Sequence, residues 1–364
     1  MLWRWFQDWR ERRAALAEVD QLRRDDEAVL MDQNQNPLNL AKLSVVSDPV
    51  EAAAQWERAR RLMPNAVLES EDSPDILIRL KRFDEADALM HERQKRFHGD
   101  RFSLMSLAKI ADYRGDTEEA LKRWEVVRSR VRDSVFGYLG VARCLADLGR
   151  FEEAETQLDR AHRRDPDSHE VRVTRARLSD RRQDWKQSIS RWKHAAESIQ
   201  DPPAFAFAAK AMIQLGRLDE AEAYLKEPAI AFPNEFEIAF TRAVIAQSRG
   251  DLTAACDRWA MVRAMKPQLP VGYQDGAARL VEAGRHADAD AVLRAAIERF
   301  PDQIWPSRDF AYLAHNRKDW AEAAVRWEEL RQRFPAEEAG YSLGAEALKA
   351  AGRDEEAAAL RHPA

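Results

Sequence analysis

The sequence predicts an all-α chain built from about ten antiparallel helix pairs. Three observations predict it. A short phrase recurs at a fixed spacing, the apolar residues of each unit fall at helical intervals, and glycine and proline punctuate most units at fixed offsets.

The phrase is a turn, an acidic pair and a small residue. It reads RFDEADAL at 82–89, RGDTEEAL at 114–121, GRFEEAETQL at 149–158 and GRLDEAEAYL at 216–225, and it continues to GRDEEAAAL at 352–360. Taking the small residue after the acidic pair as a marker gives Ala52, Ala86, Ala120, Ala154, Ser188, Ala221, Ala255, Ala289, Ala323 and Ala357. Every step is 34 residues except one of 33, at the linker holding Asp201-Pro202-Pro203.

Each unit has the interior of a helical hairpin. Twelve residues before the marker stands a small residue, such as Ala108, Ala142, Ala176 or Ala209, which lets two helices approach closely. Four residues after the marker comes a large apolar one on the same helical face. Twelve residues after it six units carry proline (Pro64, Pro166, Pro233, Pro267, Pro301 and Pro335), which cannot continue a helix. Gly115, Gly149, Gly216, Gly250, Gly284 and Gly352 mark the turn inside the hairpin, as a helix C-terminus prefers.

With its period, paired small residues, large residue and closing proline, the chain resembles the tetratricopeptide repeat (TPR) over roughly residues 33–362. The resemblance implies a right-handed superhelical solenoid in which the first helix of each pair lines an inner groove. Three segments are expected: an N-terminal amphipathic helix at 1–31, degenerate repeats at 32–100, and regular repeats at 101–362. Leu40 and Pro74 replace the small residue in the first two units, which makes helix boundaries there irregular.

A second period lies on the first. Trp56, Trp124, Trp192, Trp259 and Trp327 take the large position in every other unit, while Met90, Leu158, Leu225 and Leu293 take it in the alternates. Nine residues before the marker the volume is exchanged: Ala111, Ser179, Ala246 and Ala314 in the tryptophan units, Leu77, Leu145, Met212 and Leu280 in the others. Close-packed interiors conserve summed volume, so the tryptophans read as core rather than as a stacking platform for bases or sugars. Leu43, in the first unit, breaks the rule.

Composition bounds the function. Hydrophobic residues make up 45% and charged residues 33%, which suits amphipathic helices and not disorder. A net charge of −5 gives no whole-molecule sign of the basic footprint that nucleic-acid binding usually leaves. Cys144 and Cys256 stand in different units, so neither a disulfide framework nor a zinc site is indicated. Phosphate-loop, dinucleotide, nucleophile-elbow and HExxH motifs are missing, and the eight histidines are scattered. The acidic pairs start second helices, where negative charge complements the dipole. No enzyme activity, cofactor or metal is therefore expected.

Function is expected in the groove. If family geometry holds, the residue eleven before each marker faces it, which makes Lys109, Arg143, Arg177 and Lys210 a basic ladder. Toward the C-terminus Phe240, Val244, Trp305, Arg308 and Tyr312 offer an aromatic end instead. The expectation is a scaffold or adaptor gripping a protein or peptide partner, one with an acidic segment. The asparagines that accompany carboxylate-gripping family members are missing, with Ala146, Asp180 and Ile213 at nearby groove positions. An RNA-binding helical repeat and a non-catalytic enzyme subunit are the alternatives. RWEELRQRFP (326–335) and GYSLGAEALKAAGRDEEA (340–357) are similar to repeats of bacterial proteins in glycosyltransferase and envelope-polysaccharide pathways.

At the start, Leu2, Trp5, Phe6, Trp9, Leu16 and Val19 share one helical side. That side admits three uses: a cap on the first repeat, a self-association surface, or peripheral membrane contact. Seven acidic and six basic residues in the stretch argue against attraction to anionic lipid. Arg4, Asp8 and Arg10 interrupt any signal-like run, and no membrane span follows, so the expected location is cytoplasmic. The chain ends shortly after the last unit, whose Ala-rich helix could leave apolar surface for a partner or a second copy.

Overall fold

The computed structural model describes residues 36–199 and 201–360; the expected helix at 1–31 lies outside the described residues. Among the described residues every regular element is a helix. The chain divides into two compact units, one ending at Leu178 and one beginning at Ser179. The first holds α1 (Pro37–Ser44), α2 (Pro49–Leu62), α3 (Pro64–Glu69), α4 (Ser73–Arg79) and α5 (Phe83–Arg96). It continues with α6 (Arg101–Arg114), α7 (Thr117–Arg130), α8 (Phe136–Asp147), α9 (Phe151–Arg164) and most of α10 (His169–Arg181). The second begins with α11 (Trp185–Ile199), α12 (Pro202–Gln214), α13 (Leu218–Ala231), α14 (Phe236–Arg249), α15 (Leu252–Met265) and α16 (Val271–Glu282). It ends with α17 (His286–Arg299), α18 (Ile304–Asn316), α19 (Trp320–Arg333), α20 (Glu338–Ala350) and α21 (Asp354–Ala359).

Helix ends follow from local chemistry. The residue five before the marker takes positive φ in nine hairpins: six times it is glycine, and otherwise Lys81, Gln183 or Lys318. Each reverses the chain between the two helices of a pair. A residue with a Cβ is strained there, and glycine is not. Lys318→Gly is therefore expected to stabilise the protein by about 0.5–1 kcal/mol, the strain relieved less the added unfolded-state entropy. Urea titration of the two forms checks it; a less stable variant contradicts the turn argument.

Starts of the second helices alternate. In the tryptophan units an aspartate caps the helix, as where Asp116 accepts from the Glu119 amide at 3.0 Å and Asp251 from that of Ala254 at 3.0 Å. In the alternates an arginine stands at that position and pairs with the acid three residues on, as Arg150 does with Glu153 at 2.7 Å and Arg285 with Asp288 at 2.7 Å.

The first two repeats depart from the pattern for visible reasons. The first helix of the second repeat is broken into α3 and α4 around Ser70–Asp72, where Ser73 Oγ donates to the Val67 carbonyl at 2.6 Å and Pro74 restarts the chain. Leu43 does not face Trp56 at all: it is 72% exposed while Trp56 is fully buried. The volume rule is kept because Leu43 has left the core. Val46 and Val50 beside it are exposed too.

Elsewhere the exchanged pairs meet as expected. Trp124 packs with Ala111 and Leu158 with Leu145 in one buried cluster. Trp259 packs with Ala246, Leu293 with Leu280, and Trp327 with Ala314. A third position moves with them. Eight residues before the marker stands a group that accepts the indole N–H: Asp112 for Trp124 at 2.8 Å, Asp180 for Trp192 at 2.8 Å, Gln247 for Trp259 at 2.9 Å and His315 Nδ1 for Trp327 at 3.3 Å. A buried indole needs such a partner. The alternates, with no N–H to satisfy, carry Ile78, Ala146, Ile213 and Val281 there.

A fourth position ties successive second helices together. Just before the tryptophan, Arg123 reaches Asp87 at 2.6 Å, Arg258 reaches Glu222 at 2.7 Å and Arg326 reaches Asp290 at 2.7 Å. Each arginine also donates to a first-helix carbonyl, of Leu107, Arg242 and Phe310 respectively, at 2.8–2.9 Å. The repeating unit is thus a pair of hairpins. Where the next pair begins, small residues make room: a Cβ on Gly140 would stand 2.1 Å from the Trp124 ring.

Candidate functional site

A cavity of about 860 Å³ opens on the first unit, with walls from α4, α6, α8 and α10 and a floor of Trp124 and Gly140. These are first helices of successive pairs, except for the tryptophan beneath. Asp75, Lys109 and Arg143 line it together with Arg79, Asp112 and Glu170. Exposed Tyr113 and Phe136 flank the charges.

Charge accounting separates the occupied groups from the available ones. Asp112 accepts from the Trp124 indole and from Arg143, and Arg143 also lies 5.5 Å from the Trp124 ring centroid. Cys144 Sγ sits 3.5 Å from Asp112; burial and that carboxylate push its thiol up to about 12, so it is no nucleophile. Glu170 accepts from Ser168 Oγ at 3.0 Å, and its backbone and that hydroxyl hold it below the usual carboxylate range. Arg79 and Lys109 are exposed, and neither has an ion pair or hydrogen bond with another described residue. Asp75 is the single lining carboxylate in the same condition. Since a neutral hydroxyl leaves the Glu170 charge in place, the cavity presents two cations, Arg79 and Lys109, and two carboxylates, Asp75 and Glu170.

The remaining sequence-derived candidates are dispersed. Arg177 is exposed on α10 and does not line this cavity. Lys210 belongs to the second unit, where it pairs with Glu237 and lies 4.8 Å from the Phe207 ring centroid. The basic residues are thus not one strip of free cations: Arg143 and Lys210 are held by carboxylates contributed from neighbouring first helices. Position alone shows which residues share a register, and it does not show which are already paired.

The aromatic group is divided as well. Phe240 meets Trp259 edge-on at 5.4 Å and Val244 packs on the same cluster. Trp305 leans on Phe300 at 6.0 Å and donates to Gln303, so it is half-buried packing. Arg308 lies 3.8 Å from Asp309. Tyr312 of this group lines a cavity of about 780 Å³ on the second unit, between α16 and α18. Arg79, Tyr113 and Phe136 were missed by sequence reasoning: Arg79 and Tyr113 stand seven before their markers, an offset left aside, and Phe136 shares the offset of Trp305 without having been singled out. Among the described residues no group of three or more His, Cys, Asp or Glu is placed to hold a metal.

Residues 123–274 match the family described as the T7SS, ESX-1 secretion system protein EccA1, N-terminal domain. Curated proteins contain no match. Among solved structures, yeast Tom70 is 15% identical, with 95% of this chain and 86% of that one covered and a TM-score of 0.54. A tetratricopeptide repeat protein from Parabacteroides merdae is 16% identical over 68% of this chain and 98% of that one, at a TM-score of 0.47. A thermophilic TPR protein from Thermus thermophilus is 21% identical over 49% of this chain and all of that one, at 0.41.

Proposed function

We propose that this chain, an all-α helical-repeat protein of the tetratricopeptide type, is a non-catalytic scaffold that holds an acidic, apolar-containing segment of a partner protein in the first-unit cavity. The observation that carries the reading is the pair of exposed cations without an ion pair within the described chain, Arg79 and Lys109, set between exposed Tyr113 and Phe136. Carboxylates of an extended segment pair with the two cations, and its apolar side chains lie on the rings and on Met105 and Leu139. The family match to part of a secretion-system protein supports a place in a larger assembly, as does the general use of helical-repeat concavities as binding surfaces. We place that assembly at a bacterial cell envelope, on its cytoplasmic side. No helix among the described residues is long and apolar enough to cross a membrane.

Selection of a random-peptide display library on the full-length chain tests this. Clones combining acidic with aromatic or aliphatic residues are expected. Their affinity should fall at least roughly tenfold in Arg79→Glu/Lys109→Glu, since two opposed charges replace two pairings worth about 1 kcal/mol or less each. Helicity and melting should not change, because both side chains are exposed and unpaired within the described chain. Arg143 is the wrong choice for such a test: reversing it sets a glutamate against Asp112 and disturbs the fold. Undiminished affinity in the double variant removes this cavity from the mechanism.

A further inference from the structure

The second-unit cavity has a different chemistry. One wall is Gln274, Ala278 and Val281 on successive turns of α16, with Ala277 beside them; the facing wall is Asp309, Tyr312 and Asn316 on α18. Leu293 of α17 lies at the base. Ala278 occupies the register position that Lys109, Arg143 and Lys210 hold elsewhere, so the slot stays open and one side of it is aliphatic.

Its charges are mostly settled within the chain. Glu282 is paired with Arg279 at 2.7 Å, and Arg317 lies 3.6 Å from Asp290. Asp309 is the exception. Its nearest cation is the adjacent Arg308, whose Nε lies 3.8 Å from Oδ1, at the long end of an ion pair. Burial pushes the Asp309 carboxyl above its usual range, the sign of a charge short of compensation. Tyr312 is braced edge-on against Trp327 at 5.1 Å, which fixes its ring beside the slot.

We infer that this cavity is a subsite for a lysine or arginine side chain of a bound peptide. A long cationic side chain has the matching anatomy, since its methylene stem lies along Ala277, Ala278 and Val281 while its head reaches Asp309 and the Asn316 amide oxygen beside the Tyr312 ring. An acidic residue in the slot faces Asp309 and is repelled. The inference rests on the reading of the chain as a peptide-binding scaffold, but it concerns a separate cavity whose preference has the opposite sign.

The same display selection on the full-length protein distinguishes the two. A second class of clones is expected, in which a lysine or arginine is flanked by aliphatic residues. A synthetic peptide from that class should bind Asp309→Asn roughly tenfold more weakly, through loss of a charge-assisted hydrogen bond. It should bind Ala278→Trp as weakly, because the exposed position lets the ring fill the slot without entering the core. Arg79→Glu/Lys109→Glu should leave its affinity unchanged. Absence of basic clones, or basic-peptide binding indifferent to both second-unit variants, overturns the inference. Loss of the acidic class alone overturns only the first-unit reading.

Discussion

Trp259→Ala is expected to destabilise the protein by about 3–5 kcal/mol, the range for a large aromatic truncated in a packed core. Trp259 is 1% exposed, and its ring touches Phe240 while its N–H serves Gln247. The alternate repeats show what the site would accept instead. Trp259→Leu with Ala246→Leu restores most of the lost volume, copying the pairing of Leu293 with Leu280. It leaves the Gln247 carbonyl without its indole donor, so a third change, Gln247→Val, is needed to copy Val281. The triple variant should be more stable than the double, and the double more stable than Trp259→Ala. Urea unfolding monitored by circular dichroism orders the three. A triple variant no better than the alanine variant would falsify the exchange of one residue set for the other.

Arg326→Met should cost about 3 kcal/mol, chiefly because Asp290 and the Phe310 carbonyl are left without their donor. Arg326 is 4% exposed, bonds Asp290 at 2.7 Å and Glu322 at 2.8 Å, and lies 3.6 Å from the Phe310 ring centroid. Burial alone would lower its pKa, yet the hydrogen bonds and charges of the two acids raise it, so the arginine stays charged. Replacing Asp290 with methionine as well should recover part of the loss, since it removes a carboxylate left with only Arg317 at 3.6 Å. Strictly additive losses in that double-mutant cycle would mean that Arg326 and Asp290 do not act together.

The equivalent tie at Arg258 has a pH signature. Burial would raise Glu222, but hydrogen bonds from Arg258 and Arg242 hold it below the usual carboxylate range. A depressed folded-state pKa means the contribution is complete above the ordinary glutamate range and is lost as the pH falls through the folded value.

Much of this was legible in residue order because a repeat presents each structural position many times. The helix pairs, the proline stops and the exchange of tryptophan and leucine all recur at constant offsets, and recurrence reveals what a single occurrence hides. The indole acceptors at Asp112, Asp180, Gln247 and His315 were equally periodic. They were overlooked because Asp180 was weighed only as a groove position without asparagine, and the acceptor that each buried indole N–H requires was not sought.

The sites were less legible. Lys109 and Arg143 hold the same register position, yet one is available and the other is bound to Asp112, because only α6 of the neighbouring repeat brings a carboxylate within reach of Arg143. Tyr113 and Phe136 gained importance through their place at a cavity rim, a property of the surface that several helices make together.

The residue order by itself determined the all-α hairpin architecture, the period, and the residues that fill the core, since these depend on helical spacing and on volume summed between adjacent helices. Only the tertiary structure decided which charges remain available and which cavities exist. Availability depends on what neighbouring helices place within about 3 Å of a side chain, and a distance that short is set by packing, not by spacing along the chain.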